Sequence, residues 1–341
     1  MKKNNITIHD IARMLGISSS TVSRALSGNP RISLKTREAV ANLAHEKGYH
    51  PNVMASSLRR GKTKTVGLII PRINRHFFSN VIGGIEEVLN LSGYNLMICQ
   101  SDESHEKEIE NLKTLMNLRV DGIFISMATG STNSEHLKNC LSRGVRLMMF
   151  DRVDEELPVD RIVLDDFEGA YQTVKHLVEQ GYRKIAHFSG PEHINVYRNR
   201  KRGYLEALKD SGLEVTSGLI LQDVLDREKG YEACLSLLAG KDVPDAIFSS
   251  SDFSALGALL AAKKKGVSTP GDLGIAGFAN EPFTELFDPP ITSVDQNSIE
   301  MGKTLAQLFL DKESEERVGS EPYTIVLKPR LLIRKSSLRK T

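Results

Sequence analysis

Two groups of residues in this 341-residue chain have types and spacings that could do chemistry. The first is a run of small hydroxyls around one arginine: Ser19, Ser20, Thr21, Ser23 and Arg24. At helical spacing Val22, Ala25 and Leu26 take the inward face, and the hydroxyls and guanidinium turn outward. Small side chains let a helix lie deep in a major groove. Hydroxyls can bond phosphates or base edges there, and Arg24 can grip a guanine through two bonds. The same face would also suit a small helical protein-interaction module with a solvated surface. The second group stands just beyond apolar runs: Arg72, Asn74, Arg75, His76 and the pair Phe77-Phe78, then Asp151-Arg152, then Arg198, Arg200 and Arg202, then Ser251-Asp252 and Asn280. Carboxylates, amides and guanidinium groups beside aromatic rings are the parts for holding a small polyhydroxylated molecule by directed hydrogen bonds. Singly, each has a plainer role, since Asp252 could cap a helix and Phe78 could simply pack; their shared location carries the reading.

The elements that must position them can be read around them. Thr7 and Asp10 have the form of a capping box, Ile8, Ile11, Ala12 and Leu15 follow at helical spacing, and Gly16 permits a left-handed stop. Ser18 can cap the next helix, predicted over 19–26. Two short helices joined by a tight turn containing glycine are a helix-turn-helix. Pro30 interrupts the chain and Ser33 can start a third helix running to position 44. Beyond position 65, apolar runs at 66–71, 96–100, 122–127, 146–151, 184–190, 246–250 and 273–278 alternate with helical stretches such as 78–91 and 167–180. Strands apolar on both faces between helices predict parallel sheets wrapped by helices. The spacing suggests two doubly wound lobes, a second cycle restarting near Ile162. Ligands in such sheets bind beyond the strand carboxyl ends, where the second group stands.

Charge divides the chain the same way. Residues 1–65 hold 12 Lys+Arg against 3 Asp+Glu, and the remainder holds 33 against 40. A basic module thus precedes an acidic body. The join at 51–65 opens with Pro51, offers a short helix-capable run at 52–58, and sets Val53, Met54 and Leu58 beside Arg59, Arg60, Lys62 and Lys64. An apolar edge next to concentrated positive charge suits a wedge in a nucleic-acid groove. A solvated interdomain linker accounts for the charges as well, though not for Leu58.

With 40% hydrophobic and 26% charged residues, the composition is that of a soluble globular protein of two or three domains. The start, MKKNNITIHD, is too polar for a secretory signal, and no apolar run approaches bilayer length, so a cytoplasmic location is expected. Cys99, Cys140 and Cys234 lie too far apart for a zinc or redox pair and are expected to be reduced core thiols. No HExxH and no GxxxxGK occurs. No metal, cofactor or catalytic residue is expected, and the chain reads as a non-enzyme. A sugar kinase fused to a DNA-binding head would need a phosphate-cradling loop or a placed base, for which Asp252 is the best lone candidate. A secreted sugar receptor would need an export signal.

The stretch TIHDIARMLGISSSTVSRALSGNPRISLKTREAVANLAHEKGYHPNVMASSLRRGKTKTVGLIIP resembles the headpiece, hinge and first sensor strand of the lac repressor family of bacterial regulators. SDExxxxE, RVDGIFIS, FDR, GYRKIAHFSG, AIFSSSDFSALGAL, DLGIAGF and ITSVDQ extend the resemblance through a sensor similar to type I periplasmic sugar-binding proteins. The implied fold is an all-α helix-turn-helix headpiece (1–50), a hinge helix and linker (51–65), and a sensing and dimerisation domain (66–341). Its first lobe would take about 66–161 and 292–322, and its second about 162–291 and 323–341. The resemblance implies base reading by Ser20, Thr21 and Arg24 within a DNA-facing set that includes Thr7, Ser19, Ser23 and Asn29. It implies minor-groove contact by Ala55, Leu58 and Arg59. In the sensor it implies that Phe77 and Phe78 line a ligand, Asp151 accepts from hydroxyls and Arg200 donates; Ser251, Asp252, Asn280 and Gln296 complete the ligand set. Three departures stand out. Ser56 replaces a frequent arginine, Ala279-Asn280 lacks a frequent aspartate, and Arg72 and Arg75 replace the more usual Asp and Asn. Together the last two favour an anionic or acidic-sugar ligand. The ending PRLLIRKSSLRKT carries no heptads, so a homodimer on palindromic operator DNA is expected. Effector binding could strengthen or weaken DNA affinity.

Overall fold

The computed structural model describes residues 6–49, 62–314 and 321–339. The hinge run at 52–58, with Ala55, Leu58 and Arg59, lies outside the described residues. The chain divides into two compact units, 1–63 and 64–341.

In the first unit, α1 (Ile8–Leu15), α2 (Ser19–Leu26) and α3 (Leu34–Glu46) bury Ile11, Ala12, Val22, Ala25, Val40 and Ala44 against one another. Both bonds of the capping box are present: the Asp10 amide donates to Thr7 Oγ1 at 3.3 Å and the Thr7 amide donates to Asp10 Oδ2 at 3.0 Å. Gly16 ends α1 at φ 63°, and Ser18 and Ser33 cap the next two helices. This is the helix-turn-helix read from the sequence.

The second unit begins with β1 (Thr65–Ile70), α4 (His76–Leu91), β2 (Asn95–Gln100), α5 (His105–Asn117), β3 (Gly122–Ile125), α6 (Glu135–Ser142), β4 (Leu147–Phe150) and β5 (Asp160–Leu164). It continues with α7 (Asp166–Glu179), β6 (Ile185–Phe188), α8 (Asn195–Asp210), β7 (Ile220–Leu221), α9 (Arg227–Ala239), β8 (Ala246–Ser249), α10 (Asp252–Lys265) and β9 (Gly274–Ala276). The last described elements are β10 (Ser293–Asp295), α11 (Ser298–Ser314), β11 (Thr324–Leu327) and β12 (Arg330–Leu332). The first lobe is a parallel sheet in the order β11-β5-β4-β3-β1-β2, and the second is β7-β6-β8-β9. The antiparallel pair β10-β12 runs where the chain passes between them.

Two of the three lobe boundaries read from the sequence need correction. Ile162 does not open the second lobe: it is fully buried inside β5, opposite Phe150 on one side and Ile325 on the other. Residues 324–327 likewise return to the first sheet as its edge strand instead of joining the second lobe. The run DRIVL resembles the start of a cycle because no helix separates it from β4. Its two parallel neighbours make it an inner strand of the cycle already under way.

Helices cover the sheets at close range. A Cβ added at Gly84 of α4 would fall 2.2 Å from the Ile299 carbonyl of α11, and one at Gly302 of α11 would fall 2.2 Å from the Val81 carbonyl of α4. The two helices therefore touch backbone to backbone, which a larger side chain at either position forbids. Cys140 and Cys234 are buried and Cys99 is partly exposed, all three without a disulfide. Among the described residues no helix is long and apolar enough to cross a membrane. Gly84→Ala is expected to lower unfolding free energy by about 1–3 kcal/mol in a urea titration; a variant as stable as wild type would show that the helices can separate freely.

Candidate functional site

On the headpiece, Ser20 and Arg24 are exposed on the outward face of α2, with Ser19, Thr21 and Ser23 half-buried beside them. Several hydroxyls already have partners. Ser20 Oγ and Thr21 Oγ1 each lie 2.8 Å from Ser18 Oγ, and Ser19 Oγ lies 2.9 Å from His9 Nδ1. Thr7 Oγ1 donates to Asp10 Oδ2 at 2.7 Å, and Asn29 Oδ1 accepts from the Arg31 amide at 2.9 Å. The basic group on this face is the Arg24 guanidinium, held out by the last turn of the helix. Ala55, Leu58 and Arg59 lie outside the described residues.

In the body, a cleft of about 670 Å³ opens between the lobes at the strand carboxyl ends. It gathers Phe77, Phe78, Asp151, Arg200, Ser251, Asp252 and Gln296 from five separate stretches of chain. Asn280 does not join them: its amide donates to Asp295 Oδ2 at 3.2 Å and accepts from Arg334 at 2.8 Å, while its neighbours Ala279 and Glu281 line the cleft. Phe77 and Phe78 stand edge to face at 5.0 Å at the start of α4.

Asp151 follows β4 with φ 58°, a left-handed conformation that a non-glycine residue adopts only when its surroundings enforce it. Its buried carboxylate accepts from Ser126 Oγ at 3.1 Å, and burial raises its pKa against the pull of Arg152 and Arg200. Arg152 donates to Glu103 Oε2 at 2.8 Å and to the Tyr197 hydroxyl at 3.3 Å. Burial works against its charge, but Tyr197, Glu103 and Asp151 more than offset that and hold it above the ordinary arginine value. Burial likewise opposes ionised Glu103, yet Arg152 and the Thr129 amide keep it below the usual carboxylate range.

Arg200 is committed to its own lobe. Its Nε donates to Asp166 Oδ1 at 2.7 Å, one terminal nitrogen donates to the Ser250 carbonyl at 2.8 Å, and the guanidinium lies 3.7 Å over the Phe278 ring. Burial pushes Asp166 up to about 6 even with Arg200 beside it. Asp252, the first residue of α10, is fully buried and accepts from Ser293 Oγ at 2.6 Å and the Glu281 amide at 2.8 Å. Ser251 caps the same helix.

Sequence reading missed Glu103, Tyr197, Phe253, Phe278 and Glu281 in the lining, and Asp166 behind it. Tyr197 was detectable, one helical turn before Arg200. Asp166 was hidden by the misplaced lobe boundary, since it stands two residues beyond the end of β5. The case for an anionic ligand loses its basis here. The carboxylate missing at 279–280 is supplied by Glu281, and six carboxylates face five basic side chains around the cleft. Arg72 pairs with Asp102 at 3.4 Å, and the Arg75 guanidinium lies 3.8 Å over the Phe253 ring.

A helix-turn-helix unit followed by a two-lobed body with a polar cleft at its strand ends defines a DNA-binding regulator with a ligand-binding domain. Residues 7–52 match the family model described as bacterial regulatory proteins, lacI family, and residues 63–328 match that of periplasmic binding proteins and the sugar binding domain of the LacI family. Catabolite control protein A of Priestia megaterium is 33% identical over 318 residues, 93% of this chain and 95% of that one. Among solved structures, the transcriptional regulator CelR in complex with cellobiose is 29% identical with a TM-score of 0.73, covering 97% of this chain and 100% of that chain. The lac repressor dimer bound to operator and an anti-inducer shares the fold at a TM-score of 0.87 and 23% identity, covering 98% of this chain and 100% of that chain. The chain belongs to the LacI family of bacterial transcriptional regulators.

Burial pushes the Asp252 carboxyl up to about 7, although Ser293 and the Glu281 amide favour its ionised form. The folded chain therefore holds this proton more tightly than the unfolded one, whose value lies near 3.8. The stability so gained is complete below about pH 4 and is lost as pH rises through about 7. Asp252→Asn is expected to flatten that loss in thermal unfolding measured across this range; parallel profiles for variant and wild type would contradict it.

Proposed function

We propose that this regulator represses carbohydrate-utilisation genes, binding a palindromic operator as a homodimer with an affinity set by a small sugar-like effector in the cleft. The observation that carries this reading is the cleft itself. Its lining sets aromatic rings, Phe77 and Phe78 on one side and Tyr197 and Phe278 on the other, among the carboxylates of Glu103, Asp151 and Asp252 and the guanidinium groups of Arg152 and Arg200. Rings that stack on a sugar face and carboxylates that accept from its hydroxyls suit a neutral or weakly charged carbohydrate better than a strong anion. CelR, solved with cellobiose, supports the same ligand class. The relatives are regulators, and the reading assigns the cleft to binding without turnover. Acting on operator DNA places the protein in the cytoplasm.

On DNA, Arg24 reads a base edge while Ser20 and Thr21 exchange their bonds to Ser18 for phosphate or base partners. Thr7, Ser19, Ser23 and Asn29 fix the approach. Ala55, Leu58 and Arg59 enter the minor groove, where the Leu58 side chain acts as a wedge.

Arg24→Ala is expected to weaken operator binding by about 1–3 kcal/mol and to relax sequence preference at one base pair in each half-site. Leu58→Ala should weaken operator binding far more than binding to random DNA in anisotropy titrations. Equal losses on both would exclude the wedge. For the cleft, a thermal-shift screen of neutral sugars, uronic acids and sugar phosphates, followed by calorimetry, is expected to find a neutral or weakly charged ligand. Asp151→Asn should weaken that ligand at least about tenfold, the loss of a hydrogen bond to a charged group. Selective binding of sugar phosphates, or no dependence on Asp151, would overturn the assignment.

A further inference from the structure

We propose that the first lobe carries a binding site for a divalent transition metal of the zinc type, formed by His105, Glu108 and His136 behind loop 128–131. His105 and Glu108 stand three residues apart on α5, so one helical face presents both, and His136 comes from the first turn of α6. One ligand atom from each lies within 4.8 Å of the other two. Glu108 is fully buried and His136 nearly so, while His105 is half-buried with its ring edge to face on His136 at 4.8 Å.

The Glu108 carboxylate accepts from the Ala128 amide at 2.6 Å and from Ser131 Oγ and His136 Nε2 at 2.8 Å each. Ser131 Oγ also lies 3.1 Å from His105 Nδ1. The first three bonds satisfy a buried carboxylate on their own. They leave unexplained why a second imidazole, His105, stands against the same buried cluster. A shared cation accounts for it: His136 Nε2 would bind the metal in place of the proton now shared with Glu108, and that proton would move to Nδ1, whose lone pair is free to take it. His105 would supply a second nitrogen. Two imidazoles and one carboxylate select zinc and its neighbours over magnesium and calcium, which prefer all-oxygen shells. A side cavity of about 460 Å³, walled in part by both histidines, gives access and room for a water as fourth ligand. Loop 128–131 lends Thr129 and Gly130 to the effector cleft, so a bound cation would brace one wall of that cleft from behind.

The test titrates Zn²⁺ into the full-length, chelator-stripped protein in competition with a chromophoric zinc chelator, and follows thermal unfolding in parallel. Wild type is expected to bind one Zn²⁺ per chain in this site and to unfold at higher temperature when it does. His105→Ala, a truncation at a half-buried position, should weaken this binding at least about tenfold and abolish the thermal shift. His45→Ala, which removes an exposed headpiece histidine, should leave both unchanged. Zinc that binds wild type and His105→Ala alike, or that shifts neither unfolding curve, overturns the proposal.

Discussion

A charge taken out of water must find a partner, and this body is built around that constraint at its strand ends. Arg152 is paired with Glu103, and Arg200 with Asp166, all four removed largely from solvent. Breaking such a pair by removing one partner costs far more than the pair contributes, so each residue fixes the position of the next. Glu103 precedes α5, Arg152 follows β4, Asp166 opens α7, and Arg200 stands on α8. The pairings thus hold four connections of two lobes in one register around a common cavity.

The same network bridges the lobes. The Tyr197 hydroxyl of the second lobe accepts from Arg152 of the first, and Asn195 donates to the Asp151 carbonyl at 3.0 Å while accepting from the Val153 amide at 2.9 Å. His193 Nε2 lies 2.8 Å from the Thr129 carbonyl. A ligand entering the cleft meets groups that already tie the lobes together, so any preference it has among lobe arrangements becomes a free energy available to the rest of the chain. Two lining residues also have positive φ, Asp151 at 58° and Ala279 at 122°. Such residues persist where surrounding bonds enforce them, and here those bonds belong to the cleft wall.

The headpiece was legible because its signals are local. Thr7 with Asp10, Gly16 and Ser18 each act within one turn of helix, and the helices begin and end where those residues place them. Most strands were legible for a similar reason, since fully buried parallel strands leave continuous apolar runs. The lobe boundary was not, because strand partnership is a long-range property: nothing in DRIVL states that Phe150 and Ile325 will flank Ile162. Arg200 could be placed near the ligand, but its partner Asp166 could not be found while β5 was assigned to the wrong lobe. Charge at the cleft was misjudged because the sequence shows which carboxylates are missing at 279–280 and not that Glu281 turns inward beside them.

The central claim is that occupancy of the cleft and affinity for DNA are two readings of one equilibrium. The most direct test measures operator affinity by fluorescence anisotropy with and without a saturating ligand already shown to bind in the cleft, and then measures ligand affinity with and without operator. A coupling of about 1–3 kcal/mol, a change of about 5–150-fold, of equal size in both directions is the expected result. A ligand that fills the cleft and leaves operator affinity unchanged would contradict the account.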